Sequence, residues 1–344
     1  MDGILTKLTP CDHRLSVHGL AVEVQCEVPA LNWPIHRALG EFATPDWPDG
    51  FVPVPGQVQP YDESVVMRHL SPAAVAVASA DDLMEIYEHE ERFWLVDDRW
   101  GICEINLLKG NWQSWIVPQP TISPDAVVES AILWPLAQLL RPRGVTLVPA
   151  ASVSREGFGA LIISPFTIEP ELTALAAAGW RVIGQRWTAL REEDERISLL
   201  RMPGRVERVA GPRFRGTGEH AVDWVDLTEE YPEALSHHGF CDAVIVAEPG
   251  RRGSASSKAV KGAGVAALLK RAWPIFDLHV PSRQTYMPLR LAAQCAVVEA
   301  QLSRRASDFV NMLDRVRLSK PMVAPRGKVQ PQIMPLRQPK QIPA

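Results

Sequence analysis

The apolar positions along the chain change period several times, and each change marks an element. From 20 to 28, Ala21, Glu23 and Gln25 alternate with Val22, Val24 and Cys26, which predicts a half-buried strand. Short strands follow at 93–96, 102–105 and 115–117, with Asp97-Asp98 turning between the first two. Prolines 45, 48, 53, 55 and 60 break 41–61 into irregular loops, and 81–91 is expected to be a short helix capped by Asp81 or Ser79. Ser123 as N-cap, Pro124 behind it and Asp125 in the first turn predict a helix to 141. Strands are expected at 146–152 and 160–164 around a polar turn at 154–159, then an Ala-rich helix over 169–178 closed by Gly179. Shorter strands follow at 180–183, 187–190 and 197–200, with the mixed-charge run 191–196 as a solvated turn. Further on come a buried strand at 243–247, a basic Gly/Ser-rich loop at 248–263, and helices at 264–273, 287–302 and 306–316. The basic stretch 201–218 has no clear period, and all pattern stops after 319.

Composition narrows the class. Hydrophobic residues at 46% and charged residues at 22% belong to a folded chain rather than a disordered one. Thirty prolines against 22 glycines with no Gly-X-Y repeat exclude collagen. The net charge of −4 hides 9 basic and 20 acidic side chains in 1–150 against 27 and 20 in 151–344, so the halves attract each other or the basic half faces an acidic partner. A slightly acidic balance gives no support to nucleic-acid binding. Five cysteines at 11, 26, 103, 241 and 295, without a Cys-x-x-Cys pair, read as buried thiols in a reducing compartment. The N-terminal residues lack a signal-peptide run, and the apolar stretch 127–140 is too short to span a bilayer, so a cytoplasmic protein without membrane insertion is expected. Seven of the 11 tryptophans lie at or before Trp134, which suits the core of a small β-layer better than a stacking surface for a ligand.

The order of elements from 93 to 185 carries a resemblance. With the segments FWLVDDRWGICEI, ILWPLAQLLRPRGVTLVPAASV, GALIISPF and LTALAAAGWRVIG, the chain resembles bacterial HPr kinase/phosphorylase-like proteins, a P-loop group that phosphorylates serine on small proteins or peptides. Leu139, Leu140 and Gly144 match that family's Leu-Leu-x-x-x-Gly element, and the likeness runs on to Arg317, about two-thirds of the chain. It implies an α/β fold: a β-rich N-terminal domain at 1–120, a P-loop-kinase-like (HPr kinase-like) domain at 121–318, and a Pro-rich basic tail at 319–344.

The resemblance also shows what is missing. A phosphate loop needs glycines to converge backbone N–H groups on phosphate oxygens, a lysine, and a Ser/Thr for Mg²⁺. The corresponding residues are Ser164, Pro165, Phe166, Thr167, Ile168, Glu169, Pro170 and Glu171, with neither glycine nor lysine. The family's histidine after the preceding strand is replaced by Pro149, and its paired aspartates by Gln185 and Arg186. Arginine does not serve as a base, and it repels Mg²⁺. The expectation is a degenerate kinase with no catalytic residues, cofactor or metal: a pseudokinase that binds a protein or peptide as a subunit of an assembly or maturation system. The vestigial positions are Ser164, Thr167, Glu169 and Pro170; the lost catalytic ones are Pro149, Gln185 and Arg186. The tail is a second candidate contact. The alternative is an active ATP-dependent serine kinase with a rearranged site, taking phosphate on Arg181, Arg186 or the loop 251–261. A third is a structural subunit unrelated to phosphate chemistry. The adjacent His237 and His238 lack further ligands for a metal, and no Ser/His/Asp set is assembled from order alone.

Overall fold

Alternation in the first third of the chain builds an eight-stranded sheet. In a computed structural model, residues 11–47, 51–64, 71–81, 84–193, 195–202, 204–209, 222–250, 255–261, 264, 268, 287–303 and 305–319 are described. Strands β1 (Cys11–Val17) and β2 (Leu20–Cys26) form a hairpin that turns at His18-Gly19, both with positive φ. Strand β3 (Val54–Pro60) lies parallel to β2 on one side and to β8 (Asn111–Ile116) on the other. An antiparallel meander then runs outward through β7 (Gly101–Asn106), β6 (Arg92–Asp97) and β5 (Met84–His89) to β4 (Val75–Asp81). One face of this sheet packs on α1 (Pro29–Leu39) and on a long helical stretch. That stretch is α2 (Pro124–Val128), a π turn (Glu129–Leu133) and α3 (Trp134–Leu140). Inside the π turn the Ala131 carbonyl accepts from Trp112 Nε1 at 3.2 Å and Ser114 Oγ at 2.7 Å, which ties the distortion to the sheet. Trp94, Trp100, Trp112 and Trp115 are all fully buried.

The remaining strands are β9 (Val145–Val148), β10 (Ala151–Arg155), β11 (Phe158–Ile163), β12 (Arg181–Gly184), β13 (Thr188–Glu193) and β14 (Arg196–Arg201), then β15 (Val206–Val209), β16 (Val222–Val225), β17 (His238–Phe240), β18 (Ala243–Pro249), β19 (Ser256–Val260) and β20 (Ala296–Leu302). They form a six-stranded sheet ordered β12-β10-β11-β18-β20-β19, a four-stranded sheet ordered β17-β14-β13-β9, and the hairpin β15–β16. Helices α4 (Glu169–Ala177) and α7 (Ala306–Ser319) cover one face of the six-stranded sheet; the short α5 (Leu227–Glu230) adds Leu227 to that core, while α6 (Met287–Gln294) puts Met287 and Leu291 on the other face. The four-stranded sheet is shared between two cores: Leu190 and Leu199 meet Leu161 and Val244 of the six-stranded sheet, while Ala189 and Leu200 turn toward the first sheet's core. The result is a mixed α/β architecture with several sheets and few helices among the described residues. No helix of the described residues is long and apolar enough to cross a membrane.

Several expectations are corrected. The segment 81–91 is not a helix: Met84 and Ile86 point inward, Glu85 is exposed, and the period is two because the segment pairs with β6. The proline-broken loop contains β3, where Pro55 costs one donor but parallel neighbours on both sides hold the rest. The long helix at 287–302 stops at Gln294, since Val297 and Val298 open a strand beside β18. The strand at 146–152 breaks at Pro149 into two that join different sheets. Part of the 248–263 loop is β19, an antiparallel edge on β20. The expected helix 264–273 lies almost wholly outside the described residues, as do the tail 320–344 and most of 201–218.

Candidate functional site

Three connections end on the same side of the two smaller sheets. Pro149 lies where β9 crosses to β10, Ser164 and Thr167 in the loop from β11 to α4, and Gln185 and Arg186 in the loop from β12 to β13. All five line a single cleft of about 320 Å³. The first sheet contributes Met84 and Leu95 to its wall, the π turn contributes Glu129 and Ser130, and Trp134, Phe166, Ile168, Trp187 and Val206 make much of the rest apolar. Pockets of this kind, apolar with a few placed polar groups, suit small ligands or anchoring side chains.

Glu169 and Pro170 do not line the cleft; they occupy the first turn of α4 behind it. There the backbone N–H groups and the helix dipole favour an anion. Glu169, only 6% exposed, supplies one from within the chain. Its Oε1 accepts from Arg208 Nε at 3.0 Å and Nη2 at 2.7 Å, and from Thr173 Oγ1 at 2.9 Å. Arg208, on β15, also donates to both carboxylate oxygens of Glu230, at 3.0 and 3.2 Å. The Glu230 and Glu169 carboxylates push the Arg208 pKa further up. A carboxylate clamped by an arginine of the same chain thus occupies the N-terminal end of α4.

Gln185, Arg186 and Ser164 also make internal contacts. Gln185, fully buried, donates from Nε2 to Asp226 Oδ1 at 2.5 Å and accepts from the Leu227 N–H at 2.8 Å, which fastens the start of α5 to the cleft floor. Arg186 pairs with Glu129 of the π turn. Ser164 Oγ donates to the Phe166 carbonyl at 2.8 Å and closes its own loop. Among the described residues no group of three or more His, Cys, Asp or Glu side chains is placed to hold a metal.

Other candidates fall elsewhere. Arg181 is exposed at the start of β12, and Lys258 lies on the edge strand β19, neither at the cleft. His238 Nε2 is 3.3 Å from Ser198 Oγ and 3.7 Å from Glu193 Oε2, while Ser198 Oγ donates to that same carboxylate at 2.6 Å. This is not a nucleophilic triad: the acid meets Nε2 rather than the opposite ring nitrogen, and Ser198 is fully buried. Burial works upward on Glu193, but hydrogen bonds from Ser198 and Arg191 bring its pKa below the usual range. A second cavity, about 370 Å³, lies between β1 and α1; burial, then the nearby His36, lowers the pKa of His13 in its wall.

The sequence did not point to Met84, Leu95, Trp187, Val206 or Ser130. It did carry one signal for Glu129, a lone carboxylate within the apolar run Val127 to Leu133. No family model and no curated protein matches the chain. Among solved structures it is similar to the Hpr(Ser) kinase/phosphatase from Coxiella burnetii, at 14% identity and a TM-score of 0.30, over 50% of this chain and 97% of that one. That is a weak likeness.

Proposed function

We propose that the chain is a non-catalytic, HPr-kinase-like pseudokinase whose cleft binds a protein or peptide, as a subunit of an assembly or maturation system. One observation carries this reading: the helix end that would receive a phosphate is filled by Glu169 and locked by Arg208. Pro165 and Pro170 remove two further donors from the same loop. The cleft beside it offers apolar walls and an arginine already engaged with Glu129, which suits an apolar side chain of a peptide better than a triphosphate.

A thermal-shift titration tests it. A nucleotide bound at 100 times its Kd stabilises a fold by about 2.7 kcal/mol, or about 4 °C for a chain of this size. Mg–ATP is expected to leave Tm unchanged, and serine peptides are expected to remain unphosphorylated. A rise of that size, or phosphate transfer, would overturn the proposal in favour of an active serine kinase with a rearranged nucleotide site.

A further inference from the structure

We propose that the cleft is occupied by this chain's own C-terminal segment, with the apolar run Ile333-Met334-Pro335-Leu336 as the anchor, so that a partner peptide must displace it. The proposal rests on the reading of the cleft as a peptide site and names what holds it between partners.

Where the described chain ends makes this possible. Helix α7 runs to Ser319 and is pinned near its end by Arg317, which donates to Glu156 at 2.6 Å, and by Asp314, 3.4 Å from Arg155. Glu156 forms the turn between β10 and β11, while Ser164 of the cleft follows the other end of β11. Strand β11 covers about 17 Å at roughly 3.3 Å per residue. Ile333 lies 14 residues beyond Ser319. At roughly 3.1 Å per residue an extended Pro-rich segment of that length reaches about 43 Å, more than twice the path.

Composition and charge fit the same occupant. Pro331, Pro335, Pro339 and Pro343 recur every fourth residue and restrict the free chain, so that little entropy is lost on docking in extended form. Residues 320–344 contain Lys320, Arg326, Lys328, Arg337 and Lys340 and no acidic side chain. Strand β5, which supplies Met84 to the cleft, carries Glu88 onward on the same face, and its hairpin ends in the exposed Glu90 and Glu91. Arg337 and Lys340 follow the anchor directly in the sequence. An anchor bound against Leu95, Trp134, Phe166 and Trp187 would be followed by charge opposite to that of Glu88, Glu90 and Glu91.

The test uses the full chain and a fluorescein-labelled synthetic peptide of residues 320–344, read by fluorescence anisotropy. A tethered segment has an effective concentration of about 1 mM, so a peptide with a Kd of about 100 µM for the open cleft appears about tenfold weaker while the tether competes. The double variant Met334→Asp/Leu336→Asp is therefore expected to bind the peptide about tenfold more tightly than the unaltered chain. Adding Ser130→Trp, which fills the cleft, is expected to abolish that binding; Ser130→Arg replaces it if the tryptophan variant loses its thermal transition. Equal affinity for the unaltered chain and the double variant, or binding that survives the filled cleft, overturns the proposal. If other apolar peptides bind the cleft and 320–344 does not, self-docking falls and the peptide-site reading stands; if no peptide binds, both fall.

Discussion

Arg208→Ala probes the step on which the functional reading turns. The substitution leaves the Glu169 carboxylate at the head of α4 with Thr173 and the helix N–H groups but without its cation. Breaking a fully buried pair costs about 3–5 kcal/mol, and an exposed pair contributes about 0–1 kcal/mol. The Glu169 side chain is 8% exposed and that of Arg208 is 38%, so this pair lies between the limits. The helix dipole retains about 0.3–1 kcal/mol of the carboxylate's stabilisation. The expected loss is about 2 kcal/mol. Unfolding entropy of about 2.1 cal/mol/K per residue turns that into a fall in Tm of about 3 °C, measurable by calorimetry. Two companion variants separate the clamp from a general surface effect. Glu169→Gln in the Arg208→Ala background keeps an acceptor for Thr173 and removes the stranded charge, so it should recover part of the loss. Glu169→Ala alone leaves Arg208 facing an open helix end, and sulfate should raise Tm in that variant but not in the unaltered chain. The reasoning is refuted if Arg208→Ala changes stability by less than about 0.5 kcal/mol, or if sulfate stabilises the unaltered chain as much as Glu169→Ala.

Two further outcomes follow from the first sheet. Burial, then the nearby Arg191, lowers the pKa of His18 to about 4 against an ordinary value of 6.5. The unfolded chain therefore binds this proton first, and stability should fall as pH drops from 6.5 toward 4, by as much as about 3 kcal/mol; His18→Asn, tolerant of the positive φ there, should flatten that part of a urea-midpoint profile, and an unchanged slope would count against the assignment. Gly56→Ala would place a Cβ 2.0 Å from the Trp112 ring, which is itself fixed to Ala131, so the sheet must shift by strand spacing that neighbours on both sides forbid; we expect loss of about 3 kcal/mol or more in a denaturant titration, and a near-neutral result would show that Trp112 is free to move.

What the sequence made legible divides along physical lines. Elements with a strong local signature emerged where expected: the Ser123 cap does accept from the Ala126 N–H, and Gly179 does close α4 with positive φ. Elements whose stability comes from partners far along the chain did not. β3 reads as a proline loop because its local composition is poor for a strand, yet it is held by β2 and β8, the second more than fifty residues away. The same holds for 81–91, where acidic residues and a candidate cap suggested a helix and only pairing with β6 decides for a strand.

The cleft follows the same division, and this bears on its function. The positions singled out by the resemblance lie within one segment, and Pro149, Ser164, Thr167, Gln185 and Arg186 face one cavity. The residues that pair with Glu169, Gln185 and Arg186 come from distant segments: Arg208, Asp226 and Glu129 in turn. Each of these three side chains is matched by a partner of complementary chemistry. A buried glutamine left without Asp226 and the Leu227 N–H would cost about 1–3 kcal/mol for each unmet group, and a buried carboxylate without Arg208 more. Glu169, Gln185 and Arg186 are therefore integral to the stability of this fold, and placing a Lys at 169 or an Asp at 185 would break a local network. A change at Glu169 is therefore coupled to Arg208, and a change at Gln185 to Asp226.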